Sequence, residues 1–357
     1  MKIIVIREMK NYIKNPIYWV GMVILILSIW GCLKPYLEID FIKSESQLEN
    51  QKKISGMDAD VMEGYIPVSE KQQLETGLNK VKESFVQYYE MDEKEAQRAI
   101  EDVKAQNLCI EETVEYLKEQ YGYYDGKAVF LEAKYQKGNM EEVNRYIEDK
   151  LDEHSYAHYF AKKYADFAGL HFAFYACILL AFLYIRDMRK DTYELLHTKS
   201  VSGSGYIWGK FFGGLSAMLL ALIIITIVFS GICLQHTLKM GETINIGKIF
   251  VAAFLYVVPT LVIVAGIYTM IALVFRNPLP ALPLVVVYII YSNMGSYDNQ
   301  GNYGFYGQIF GMLFRFEGKF FETYVPAIYR FNQIALIGLT AILVFIAIRF
   351  WKRRRFL

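Results

Sequence analysis

The string Gly203-Ser204-Gly205-Tyr206-Ile207-Trp208-Gly209-Lys210 ends in the Gly-Lys pair of a phosphate-binding loop. Such a loop, G-x-x-x-x-G-K-[ST], cradles phosphates in backbone N–H groups and needs a glycine at its head and a hydroxyl residue after its lysine. Ser204 and Phe211 occupy those two positions, so the motif fails. Any ATP hydrolysis, with its magnesium, is therefore expected in a separate subunit, and no cofactor is expected in this chain. His154 and His158, with Glu153 beside them, have the i,i+4 spacing of metal ligands on one helix face. The H-E-x-x-H arrangement of a zinc protease is lacking, and two solvated surface histidines with no metal are the simpler reading. The four cysteines, Cys32, Cys109, Cys177 and Cys233, show no C-x-x-C spacing. Cys32 and Cys233 fall near outer helix ends, where a single bridge stays open. No catalytic constellation emerges, and no nucleic-acid partner is suggested.

The composition explains why. With 54% hydrophobic residues and a mean hydropathy of +0.20, the chain is too apolar for an ordinary soluble domain. With 21% charged residues it is too polar to lie wholly in lipid. The two populations are segregated: Lys34 to Asp166 hold 18 basic and 29 acidic side chains, net −11, and the remainder carries +12. A formal charge of +1 thus conceals an acidic part and a membrane part whose cations gather at the inner ends of spans.

Six apolar runs are expected to cross the membrane: Ile17 to Leu33, Gly169 to Ile185, Phe211 to Leu234, Ile249 to Phe275, Leu279 to Met294 and Phe331 to Ile348. None holds Asp, Glu, Lys or Arg in its core, which argues against an ion-driven carrier with an acidic relay. Ahead of the first run, residues 1–16 carry Lys2, Arg7, Lys10 and Lys14 against Glu8, with Ile3, Ile4, Ile6, Met9 and Ile13 on a mostly apolar face. They read as an amphipathic helix on the inner membrane surface, and an anchored first span fits better than a cleaved secretory signal. Pro259 is expected to kink the fourth span.

Residues 34–168 hold no long apolar run and form a domain of their own. Leu74, Leu78, Val81, Phe85 and Tyr88 align on one helix face. Ser69 with Gln72, Asp92 with Glu95 and Asn139 with Glu142 have the spacing of helix starts. One helix is expected to run from about Met140 through the membrane. The thirteen tyrosines of this part are read as core-edge fillers. Residues 295–330, glycine-rich and then amphipathic, read as a short helix or helix pair, re-entrant or interfacial, at the outer leaflet. Gly205, Gly209 and Gly213, every fourth residue, suit close helix packing. Tyr288, Tyr291 and Asn293 are candidates to line a path, against the plainer role of interface anchors.

Between the second and third runs, Arg186 to Lys210 form a charged island with five basic and three acidic residues, the pattern of a cytoplasmic loop. It resembles the loop after the second membrane helix in permease subunits of ABC-2 type transporters. The matching residues are Thr192, Glu194, Leu195, Leu196, Lys199, Ser202, Gly209 and Lys210, with Asp191 and Ser200 where that family usually has Gly and Pro. Glu8 to Trp19 and Phe275-Arg276-Asn277-Pro278 are similar to the same family, whereas Pro35 to about Phe167 are not covered.

The fold class expected is thus an all-α membrane protein: interfacial helix and first span in 1–33, an extracellular helical domain in 34–168, and five further spans in 169–357 with a coupling loop at 186–210. The resemblance implies the permease of an ATP-driven exporter in a bacterial cell membrane, multi-pass with both termini cytoplasmic. It implies two ATP-binding cassette subunits, a second permease chain, same or paralogous, and membrane lipid as partners. Thr192, Glu194, Leu195, Leu196 and Lys199 would contact the ATPase. Uncharged aromatic spans suggest a peptide or lipid-like amphiphile as cargo. The alternative class is a receptor or sensor whose acidic outer domain binds a ligand.

Overall fold

The computed structural model describes residues 1–37, 41–49, 60–188, 202–240, 245–297, 303–304, 306–316 and 318–354. The chain divides into two compact units, one of Met1–Glu38 with His154–Leu357 and the other of Ile39–Glu153.

The first unit begins with α1 (Lys2–Ile13) and α2 (Pro16–Leu33). Asn15 separates them, its side chain accepting from the Ile17 N–H at 3.0 Å, with Pro16 in the first turn where a missing donor costs nothing.

The second unit holds α3 (Glu45–Glu49), α4 (Glu70–Tyr88), α5 (Glu93–Ala105), α6 (Ile110–Tyr121), α7 (Gly126–Ala133) and α8 (Met140–Glu153). Two short antiparallel strands, β1 (Tyr65–Pro67) and β2 (Tyr135–Lys137), pair in the register Ile66 to Gln136. The caps read from the sequence form: Ser69 with Gln72 and Asp92 with Glu95 are reciprocal capping boxes. Asn139 and Glu142 bond each other's backbone N–H groups at 2.9 and 3.0 Å. Leu78, Val81 and Phe85 are buried with Ile100, Val103, Leu117 and Phe130. Tyr88, expected on the same stripe, is instead 78% exposed, because the core ends at Phe85.

The first unit resumes with α9 (Tyr156–Met188), α10 (Gly203–Met240), α11 (Gly247–Phe275), α12 (Ala281–Asn293) and α13 (Ile328–Arg354). The single helix expected from Met140 into the membrane is two: α8 ends at Glu153 and α9 starts at Tyr156, where the His158 N–H bonds the Ser155 carbonyl at 2.8 Å. The break puts Asp152 and Glu153 just ahead of the positive N-terminus of α9, where acidic side chains are favourable, and serine suits a helix start.

The central helix is α11, packed against α9, α10 and α13 and buried along most of its length. Hydroxyl pairs tie these helices inside the apolar bundle: Tyr184 with Thr269 at 2.6 Å and Tyr164 with Thr226 at 2.8 Å. Pro259 lies inside α11, and a proline cannot donate to the carbonyl four residues back. That carbonyl, on Leu255, accepts instead from Gln333 Nε2 of α13 at 2.9 Å.

Among the described residues, five helices are long and apolar enough to cross a membrane: Pro16–Tyr36, Tyr156–Phe182, Gly203–Lys239, Gly247–Phe275 and Ile328–Arg353. The remaining apolar helix, α12, has 13 residues, about 20 Å at 1.5 Å per residue, against a hydrocarbon core of about 30 Å. The second apolar helix starts well before the expected Gly169 and carries Lys162, Lys163 and Asp166 ahead of the expected run, which itself holds no Asp, Glu, Lys or Arg up to Ile185.

The described residues of 295–330 do not form the short helix or helix pair expected, and the last three of them open α13. The rest hold a two-stranded pairing, β3 (Ser296–Tyr297) with β4 (Tyr303–Gly304), irregular backbone, and one 3-10 turn at Phe320–Glu322. Left-handed backbone at Gly307, Phe310 and Gly318 breaks any helical run.

Candidate functional site: the two ends of the helical bundle

At one end, α1 lies along the first turns of α10. Ser202 caps α10, its Oγ accepting from the Gly205 N–H at 3.2 Å. A methyl group at Gly209 would come within 2.8 Å of the Ile4 side chain, and one at Gly213 would meet Glu8. The glycine positions therefore bring in α1, whereas Gly205 faces only Ser202. Between the two close approaches, Lys210 Nζ pairs with Glu8 Oε2 at 2.9 Å, both side chains almost wholly buried. Backbone proximity makes this pair reachable: with side chains at 209 and 213, α1 would stand off beyond its reach. Trp351, near the end of α13, stacks on Tyr206 at 4.6 Å between ring centroids and covers Gly203. Both terminal helices thus clasp the start of α10.

At the other end, the irregular segment after α12 is held by side chains from several helices. Tyr291 donates to the Ile309 carbonyl at 2.8 Å, and Tyr288 to that of Phe310. Asn332 accepts from the Phe310 N–H at 2.9 Å and donates to the Gln308 carbonyl at 2.8 Å. Ser292 Oγ accepts from the Met312 N–H at 2.9 Å, and Thr260 donates to the Met312 carbonyl. From one turn of α9, Lys162 donates to the Thr323 carbonyl at 2.9 Å, Lys163 to that of Gly318 at 2.8 Å, and Asp166 pairs with Arg315. Arg315 also bonds Asn293. Irregular backbone within a membrane-spanning bundle persists only where protein groups satisfy its N–H and C=O groups. Polar residues at this end supply that satisfaction.

Tyr288, Tyr291 and Asn293 are thus each engaged with the segment. The sequence marks Asp166 only as a lone carboxylate shortly before an apolar run, and nothing in it points to Arg315 as its partner. Thr192, Glu194, Leu195, Leu196 and Lys199, together with Asp191 and Ser200, lie outside the described residues. The flanks of their loop are the end of α9 and the clasped start of α10. His154 and His158 have ring centroids 4.3 Å apart, but among the described residues no three His, Cys, Asp or Glu side chains converge as a metal site. All four cysteines are free thiols, Cys32 and Cys233 included.

A family model described as ABC-2 family transporter protein matches residues 2–303. The chain belongs to the ABC-2 transporter family. The match runs through the second unit as well as the membrane helices, where the loop resemblance alone had left Pro35 to Phe167 uncovered. Comparison with curated proteins and with solved structures returned no match. An ABC-2 permease is a multi-pass membrane component of an ABC transporter and works with an ATPase subunit. The clasped entry to α10 therefore belongs to a protein that works with an ATPase subunit.

Proposed function

We propose that this ABC-2 permease is the membrane subunit of an ATP-driven exporter, moving a peptide or lipid-like amphiphile outward. Two permease chains, identical or paralogous, pair with two ATP-binding cassette subunits that bring ATP and magnesium. The loop containing Thr192, Glu194, Leu195, Leu196 and Lys199 sits in a groove of the ATPase, and its motion on nucleotide closure reaches α10 through the clasp at Gly203 to Gly213. The observation that carries this reading is that clasp: both helices at the chain's ends grip the residues directly following the loop.

The proposed topology has six crossings. In it, α12 and the segment after it together make the fifth, the acidic second unit lies outside, and both termini lie inside a bacterial cell membrane. Asp166, Arg315 and the side chains binding residues 308–323 would hold the outer gate closed. Nucleotide-driven closure would then shift a two-state equilibrium between gate-closed and gate-open forms.

Two experiments test the proposal. Single cysteines replacing Glu112 and Arg353 in a Cys-free background should label from opposite sides of the membrane; labelling of both from outside overturns the topology. Inside-out vesicles holding the permease with its ATPase should take up a fluorescent amphiphilic peptide or lipid when ATP is added. ATP-driven loss from those vesicles would establish import instead.

A further inference from the structure

The outward face of α1 has a composition that its packing makes visible. Glu8 is the only acidic residue in the first 33, and it is withdrawn against Lys210 at 2.9 Å. Tyr12 is buried with it. The side chains left exposed are Lys2, Ile3, Ile6, Arg7, Lys10 and Lys14. At 3.6 residues per turn these six fall within one sector of about 140°. Ile3 is 82% exposed, so the face alternates cations with free apolar groups and carries no negative charge.

The depth of this face follows from its neighbours. α1 meets α10 at Gly209, Lys210 and Gly213. At the same level Trp208 stacks on Phe212 with centroids 5.3 Å apart and meets Phe211 edge-on at 5.6 Å. Trp19, one turn into α2, donates its indole N–H to the Ile13 carbonyl at 2.7 Å. Aromatic residues gathered at the ends of membrane helices mark the headgroup level. The cations of α1 stand at that level, and the exposed isoleucines can enter the acyl boundary beside them. Arg349, Lys352 and Arg353 are exposed at the same end of the bundle, on the helix whose Trp351 packs on Tyr206.

We infer that the outward face of α1 is a docking surface for anionic phospholipid headgroups, which hold α1 and, through Glu8 and Lys210, the start of α10. The inference rests on α1 lying at a membrane surface and not on the direction or cargo of transport. Lipid phosphates lie at the headgroup level that these aromatic residues mark, so the exposed cations and isoleucines of α1 meet them directly. Charge complementarity selects anionic over zwitterionic lipid, since four cations without an acid bind a negative surface cooperatively.

The test uses the full chain in neutral detergent, with its thermal unfolding midpoint followed during titration with phosphatidylglycerol or phosphatidylcholine. The variants are K2Q/R7Q/K10Q/K14Q and a control with Lys71, Lys94, Lys104 and Lys127 of the second unit changed to Gln. Wild type and control should be stabilised by phosphatidylglycerol at least about tenfold more effectively than by phosphatidylcholine, given roughly fivefold per basic residue at an anionic surface. The gap should close at about 0.5 M salt, where charges are screened within a few ångströms. The quadruple variant should show no gap. If it fails to insert, K10Q/K14Q should halve the gap, and the salt titration of wild type stands independently. Equal response of wild type to the two lipids overturns the inference, as does a variant that keeps the preference. A variant that keeps the lipid preference but loses its ATPase assigns the face to protein docking and overturns it too.

Discussion

Glu8 and Lys210 form a buried ion pair across 2.9 Å between a helix that opens the chain and one that begins past its midpoint. Two charges removed from water cost several kcal/mol each, and their mutual attraction offsets this only while both are present. Glu8→Gln or Lys210→Met alone should therefore destabilise the full chain by about 3–5 kcal/mol, read as a lowered thermal midpoint in detergent. Glu8→Leu with Lys210→Met, an apolar pair of similar size, should recover more than half of that loss. Additive losses in the double variant would show that the two side chains do not act on each other.

A similar pair closes the other end of the bundle, where Asp166 binds Arg315. Leu313 is buried in the segment that this pair holds. A cysteine replacing Leu313 in a Cys-free background should resist an impermeant maleimide. Adding Asp166→Asn should raise its labelling rate about tenfold, in line with roughly 1.5 kcal/mol for a lost hydrogen bond to a charged group, since Arg315 keeps its bond to Asn293. An unchanged rate would mean that the segment is held without the ion pair.

Gln333 serves the carbonyl that Pro259 leaves open, so the two residues should be coupled. Gln333→Leu should cost about 1–3 kcal/mol by leaving the Leu255 carbonyl unpaired. Pro259→Ala, made in that background, restores an N–H at position 259 and should return most of the loss. Equal effects of Pro259→Ala with and without Gln333 would contradict the coupling.

These relationships also mark what the sequence did and did not disclose. Ser69, Asp92 and Asn139 announced their helices because a cap is local: the oxygen, the N–H it accepts from and the returning side chain lie within three residues. The apolar runs were legible because hydropathy sums along the chain. Asp166 and Arg315 are separated by 149 positions, and no periodicity links such a pair. Glu8 read as one charge on an amphipathic helix, since its burial depends on glycines two hundred residues later. The apolar spacing of the segment after α12 suits a helix, whereas left-handed Gly307 and Gly318 and the donors at Tyr288, Tyr291 and Asn332 favour irregular backbone.

The second unit should be sensitive to strong base. Tyr116 and Tyr121 both donate to Asp102 Oδ2, at 2.8 and 3.0 Å. Burial, and then the bond to Asp102, push the Tyr121 phenol up to about 12 from an ordinary 10.0. Tyr116 is raised first by its bond to Asp102. Between about pH 10 and 12 the folded unit keeps protons that the unfolded chain has released, so its stability is complete below that window and falls as pH rises through it. Urea unfolding followed by circular dichroism at successive pH values should show this decline. Asp102→Asn should make phenolate absorbance appear at lower pH, and an unshifted titration would remove Asp102 as a cause.

The central claim is that the loop between α9 and α10 couples this permease to an ATPase, and Leu195 with Leu196 tests it most directly. Replacing both by Ser removes about 3–6 kcal/mol of apolar burial if they fill an ATPase pocket. If they only rest in the leaflet, two flanking membrane helices hold the loop in place regardless. The measurement is co-purification of the ATPase with the double variant, together with its cargo-stimulated ATP hydrolysis. The account predicts a permease that inserts and folds but neither retains nor stimulates its ATPase. Undiminished co-purification with normal stimulated hydrolysis would contradict it.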